Sequence, residues 1–232
     1  MSEMGRLAGV FFEPGKVFAD LAGKPRWLVP ILISIIIGLG FVYALNSRIG
    51  WDQTIRQSMA ANPRAADMTA AQREQAIQTG AKVAAIVSWV GAILGPPFFV
   101  LVIAGILTGL FNALLGTDLK FSQMFSITAY AMLIRGIFSL LIILLIYLKP
   151  PEDFDIRFNP FSIGGYLSRA DTPKFLMSLL TSVDLFAIWT VVLLAIGFSV
   201  ASKKLSFGKC LMAIAIPWLV VVMALAGMAS MG

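Results

Sequence analysis

Residues 124–148 read MFSITAYAMLIRGIFSLLIILLIYL, and residues 179–202 read LLTSVDLFAIWTVVLLAIGFSVAS. Each is long enough to supply the roughly 20 apolar residues that cross a hydrocarbon core of about 30 Å. Each carries one ionisable side chain inside its apolar run, Arg135 in the first and Asp184 in the second. A charge at the centre of a bilayer costs roughly 2.5–3.5 kcal/mol on insertion scales, so it is paired, or faces water or protein. The two stretches therefore predict two helices of a membrane bundle that meet at these residues.

The rest of the chain agrees with lipid as its solvent. Of 232 residues, 59% are hydrophobic and 13% charged, and the mean hydropathy is +0.88. A soluble domain is about 45–50% apolar and about 25% charged, and one small core cannot hide the excess. The net charge of +6 lies beside apolar runs rather than in a basic stripe with interleaved aromatics. It reads as topology signal and anionic-lipid contact, and excludes nucleic acid as partner.

Working outward, the apolar runs predict an all-α integral membrane protein. It is a bundle of about five spans, at approximately 27–46, 83–115, 124–148, 176–200 and 210–230, within a transmembrane domain at 27–232. Residues 1–26 precede it. There EPGKVFADLAGKP places Pro14 at a helix start and Gly23 and Pro25 at a stop. Val17, Phe18 and Leu21 share one face, and Leu7, Val10 and Phe11 form an earlier stripe. This is an N-terminal amphipathic helix, lying in the interface or packed on the bundle's own cytoplasmic face. The first apolar run has no small-residue cleavage signature after it and reads as a retained span.

Thr69 and Gln72 have capping-box spacing and open a helix that runs into span two. That run holds Pro96 and Pro97 in its middle. A complete hairpin would need about 40 residues and a polar turn, so one span kinked at Pro96 and Pro97 is expected over two half-helices. Gly91/Gly95 and Gly105/Gly109 stand at GxxxG spacing, which permits close helix packing and a homo-oligomer or another membrane protein as partner. The loop at 149–175, rich in Pro, Gly and aromatics, reads as ordered.

With five spans, the amino terminus shares a side with the loops near 120 and 203. Eight basic residues fall there, among them the cluster Lys203, Lys204 and Lys209, which also suits anionic head groups. Nine, Arg64 included, fall on the longer opposite side. The density favours a cytoplasmic amino terminus and an outside carboxy terminus.

Catalytic signatures are missing. There is no histidine, which removes HExxH and the commonest general base and metal ligand. Cys210 is the single cysteine, set in an apolar run where it reads as a small buried hydrophobe. A nucleophile elbow and a phosphate-cradling GxxxxGK[ST] are absent, and Asp184 is the one carboxylate within a span. The expectation is a non-enzymatic protein with no catalytic residue, cofactor or metal. In the outward and inward runs of spans three and four, Arg135 is roughly 20 Å below one end and Asp184 roughly 12 Å. An extended arginine covers that difference. The pair reads as an interhelical clasp, or as the lining of a polar path.

Several features together resemble one family. FFEPGKVFADLAGKPRWLVPIL precedes and enters span one, FSITAYAMLIRGIF opens span three, and DLFAIWTVVLLAIGFSVASKKLSFGKC fills span four and the loop beyond it, followed by IPWL. The chain resembles the Yip family of Rab/Ypt-interacting multi-pass proteins, in its shorter bacterial form. Ala129 and Tyr130 in span three, and Leu185, Phe186 and Trp189 beside Asp184, carry the resemblance as packing residues. It implies a five-span bundle with a cytoplasmic amino terminus in the cell's inner membrane. Eukaryotic members bind prenylated Rab proteins through an acidic, tyrosine-containing motif ahead of span one. Here FFEPGKVF stands at that position, and Rab binding does not transfer. Two functions remain from sequence: a membrane-organising or partner-binding scaffold, and a small transporter or channel for a lipid or polar solute.

Overall fold

The computed structural model describes residues 1–60, 62, 65 and 67–231. Arg64 and Gly232 lie outside the described residues. The described residues are mostly helical, and strand pairing among them is limited to one isolated bridge between Ser162 and Asp184. The helices are α1 (Glu3–Phe12), α2 (Pro14–Gly23), α3 (Leu28–Arg48), α4 (Trp51–Ala60), α5 (Ala70–Gly109), α6 (Phe121–Ala131), α7 (Leu133–Leu148), α8 (Lys174–Ser182), α9 (Leu185–Ser202) and α10 (Phe207–Met231). Five stretches among the described residues are long and apolar enough to cross a membrane: Leu28–Arg48, Ala70–Leu114, Phe121–Leu148, Leu185–Ser202 and Phe207–Ser230.

The expected helix from Thr69 into span two is present. Gln72 N–H donates to Thr69 Oγ1 at 3.3 Å and Thr69 N–H to Gln72 Oε1 at 2.9 Å, closing both halves of the capping box. The helix then runs through Pro96 and Pro97 without a break and ends in a π-helical turn, Leu110–Leu114. At 1.5 Å per residue its 40 residues span about 60 Å, twice a hydrocarbon core. Its polar first turns therefore project beyond the apolar part.

Span four departs from expectation. The single helix over 176–200 is instead two, α8 and α9, separated at Val183 and Asp184. The reason is local chemistry. Asp184 sits in extended backbone, φ −102° and ψ 166°, and its carboxylate caps the first turn of α9. Asp is among the strongest N-cap residues because its oxygen satisfies an orphan backbone donor. Asp184 therefore begins the span rather than lying inside it. Span three is also stepped: Arg135 N–H bonds the Met132 carbonyl three residues back, at 3.0 Å, where α6 passes into α7.

The described chain divides into two compact units. The first holds Met1–Ile33, Phe98–Arg135 and Asn159–Gly232. In it α2 packs on α6 and α9, α9 on α10, and α8 on α10. The N-terminal segment is a helical hairpin whose apolar face, Val10, Val17, Phe18 and Leu21, is fully buried. Against it lie Ile127 and Tyr130 of α6 and Phe198 of α9, all fully buried. Gly197 permits this approach: a Cβ there would run into Ile127 Cγ2 and stand 3.2 Å from Phe18 Cγ.

The second unit holds Ser34–Pro97 and Gly136–Phe158. Gly38 of α3 faces α5 so closely that a Cβ on it would lie 3.4 Å from the Ala92 carbonyl oxygen. Pro96 has no N–H to offer that carbonyl, so a small residue opposite leaves it room. Gln53 and Gln57 of α4 donate to the carbonyls of Pro151 and Phe154, at 2.9 and 2.8 Å.

Candidate functional site

Asp184 is the hub of the first unit's α8–α9 junction. Arg135 Nη1 donates to both its oxygens, at 3.2 Å each. Ala187 N–H donates to Oδ1 at 2.8 Å, and Asn159 Nδ2 to Oδ2 at 3.3 Å. The 149–175 loop supplies more than Asn159. Leu185 N–H donates to the Phe161 carbonyl at 3.1 Å, and the Phe161 ring meets Phe186 edge-on at 5.0 Å. Thus the loop is tied to the junction by backbone, amide and ring together.

The burial is lopsided. The Asp184 side chain is 5% exposed and that of Arg135 41%. The carboxylate is sealed, and the arginine side chain is part-exposed. Arg135 lines a cavity of about 410 Å³, together with Leu107, Met132, Thr190, Leu194 and Trp218.

A second polar cluster lies where the N-terminal hairpin meets α6. Arg6 Nε donates to Asp20 Oδ2 at 2.7 Å, and Arg6 Nη1 to Glu3 Oε1 at 3.0 Å. The Tyr130 hydroxyl donates to Glu3 Oε2 at 2.7 Å. Tyr130, expected as a packing residue, is fully buried and also fastens α1 to α6. The Met1 ammonium donates to Asp20 Oδ1 at 2.9 Å. That bond holds the Asp20 carboxyl below its ordinary range, against the opposing effect of burial and with the help of Arg6.

Sequence reasoning singled out neither Arg6 nor Asn159. The i, i+3 spacing of Glu3 and Arg6 is a pairing signal, but nothing local marks an arginine in a charged leader as buried. Asn159 is one polar residue in a polar loop.

The remaining expected residues are dispersed. Ala129 and Phe186 are buried, Leu185 is exposed, and Trp189 stands at the margin of exposure. Lys203 ends α9 in the left-handed region, φ 54°, and Lys204 pairs with Asp118. Lys203, Lys204 and Lys209 are all exposed. Pro96 and Pro97 belong to the second unit. Of the expected residues, Arg135 and Asp184 are the pair brought into contact.

No curated protein and no solved structure matches this chain. A family model, the Yip1 domain, matches residues 8–228. It takes in all five apolar helices and most of the N-terminal hairpin, and the chain belongs to the Yip1 domain family of multi-pass membrane proteins.

Proposed function

We propose that this Yip1-family protein is a non-enzymatic scaffold that organises membrane or holds a protein partner. The observation that carries this is the state of Asp184. A transport path built on that carboxylate would need water to reach it. Instead it is sealed, and it accepts from Arg135, Ala187 and Asn159. A carboxylate bonded in this way holds helices together.

The basic loop Lys203, Lys204 and Lys209 is exposed and suits the anionic head groups of a cytoplasmic leaflet. With the amino terminus on the same side, this favours the inner membrane and a cytoplasmic amino terminus. A second copy of the chain is the partner best supported: Gly105 and Gly109 are exposed on α5, with open space where a Cβ would stand.

Cysteine accessibility tests the scaffold reading. Cys210 is replaced by Ala, single cysteines are placed at Phe186 and Ala187, and a membrane-impermeant maleimide is applied from each side. A scaffold leaves both sites slow relative to a cysteine at Lys203. Rapid labelling of position 186 in a folded protein would mean a water-filled route and would overturn it.

A further inference from the structure

We propose that the cavity beside Arg135 is a binding site for one anionic phospholipid, with an acyl chain in the cavity and its phosphate at the guanidinium. Four features of the first unit carry this. The cavity, about 410 Å³, falls within the roughly 300–1,000 Å³ usual for ligand sites. Its lining is apolar apart from Arg135, Ser182 and Thr190. Both hydroxyls already donate within their own helices, Ser182 to Ser178 O at 2.8 Å and Thr190 to Phe186 O at 2.7 Å. What remains to greet a ligand is a hydrocarbon wall with the Arg135 side chain and the indole of Trp218.

At that end Arg135 contributes +1 and the carboxylate −1, and the C-terminus of α8 and the N-terminus of α9 meet there with opposite partial charges of roughly half a unit. The Asp184 side chain is 5% exposed and that of Arg135 41%, so the positive member is the one a ligand meets. Arginine presents its donors as a planar fork that matches phosphate oxygens.

Position and access fit an amphiphile. Arg135 and Ser182 stand at the level where α9 begins. The apolar lining then runs along α9 from Ala187 to Leu194, about 10 Å at 1.5 Å per residue. The cavity is open rather than enclosed. Ile106 and Val221 at its margin are 63% and 56% exposed, so a chain enters from the lipid side without unpacking the bundle. The reading is independent of whether the protein acts as a scaffold.

The test uses the full chain, exchanged into an equimolar mixture of phosphatidylglycerol and phosphatidylcholine, with retained lipid read by native mass spectrometry. Phosphatidylglycerol is expected to be retained about tenfold over phosphatidylcholine: both bring a phosphate to Arg135, but the choline head brings a second cation beside the guanidinium, a repulsion of about 1.4 kcal/mol. Leu194→Trp, which fills the cavity, removes the retained lipid. Arg135→Gln removes the preference between head groups. Asp184→Asn keeps the N-cap, since Asn caps as well as Asp, and raises the preference by removing the negative charge beside Arg135. Equal retention of the two lipids by the wild-type chain overturns the proposal, as does undiminished retention by a folded Leu194→Trp. A wild-type arm needs no variant to fold: phosphatidylglycerol with a diazirine in its acyl chain is photolysed on the protein. Adducts at Leu107, Leu194 or Trp218 support the site, and adducts confined to outer positions such as Val87 and Val220 overturn it.

Discussion

The two polar clusters of the first unit are built with opposite burial. At the N-terminal hairpin the arginine is the sealed partner: the Arg6 side chain is 2% exposed, with Glu3 at 28% and Asp20 at 21%. At the α8–α9 junction the acid is sealed, Asp184 at 5%, and Arg135 is 41% exposed. The difference follows from what else each buried group does. Arg6 has a fork of donors and meets two carboxylates. Asp184 has two oxygens and meets a helix N-terminus, an amide and one arm of an arginine. The buried partner is in each case the one with several ligands, since an ion taken from water is stable only when its remaining hydrogen-bonding capacity is met.

Removing the buried partner should therefore hurt most, and most of all at Arg6. Arg6→Ala leaves Glu3 and Asp20 without their shared cation and opens a void under the hairpin. Breaking a buried pair costs about 3–5 kcal/mol; the partial exposure of the acids puts this one near the lower end. Thermal unfolding of the protein in nanodiscs should show the loss. An Arg6→Ala protein as stable as the wild type would mean that the hairpin is an appendage.

Asp184 separates two effects that Arg6 does not. Asp184→Ala loses both the cap and the clasp, and the cap alone is worth about 1 kcal/mol. Asp184→Asn loses the charge and keeps the cap, so it should recover about that 1 kcal/mol relative to Ala in the same unfolding measurement. The charge swap, Arg135→Asp with Asp184→Arg, should not rescue stability, because arginine carries no acceptor and cannot cap α9. Full rescue by the swap would show that the cap is dispensable and that the ion pair alone holds the junction.

The same contrast explains what sequence could and could not reveal. Arg135 and Asp184 stand alone against apolar neighbours, so their meeting was legible from cost alone. The break at Val183 was not, because an N-cap needs only one Asp and no change in hydropathy: α9 opens with Leu185 and Phe186 directly after it. Five apolar helices and the unbroken path through Pro96 and Pro97 were legible from length. Arg6 was hidden for the opposite reason to Asp184. It stands in a leader that also carries Glu3, Glu13, Lys16 and Asp20, so it looks like one more solvated charge, and Tyr130, which bonds its partner Glu3, lies more than a hundred positions away. Periodicity reports which face of a helix is apolar, and says nothing of which distant side chain closes over a charge.

A smaller effect is expected where the hairpin meets α9 without charge. Gly197→Ala places a methyl against Ile127 and Phe18, both fully buried. Overpacking of this kind costs about 1–3 kcal/mol. Gly197→Ala should lower the unfolding midpoint, and Ile127→Leu made in the same chain should restore part of it by removing the Cγ2 branch that the new methyl meets. If the double variant is no more stable than Gly197→Ala, the two positions do not share the space the structure gives them.

The smallest effect is the response of the hairpin to acid, and it bears most directly on the comparison. The Asp20 carboxyl titrates below its ordinary value of 3.8 in the folded protein. A depressed carboxyl pKa means that the ionised form is favoured by folding. Its contribution is then complete above the ordinary value and is lost as pH falls through the folded one. Lowering the pH from 5 towards 3 should therefore loosen α1 and α2. Hydrogen exchange of the hairpin amides, measured across that range, should show protection falling. In Asp20→Asn protection should be lower at pH 5 and flatter with pH. An Asp20→Asn hairpin that keeps the wild-type acid response would place the titrating group elsewhere, with Glu3, which faces both Arg6 and Tyr130, as the next group to substitute.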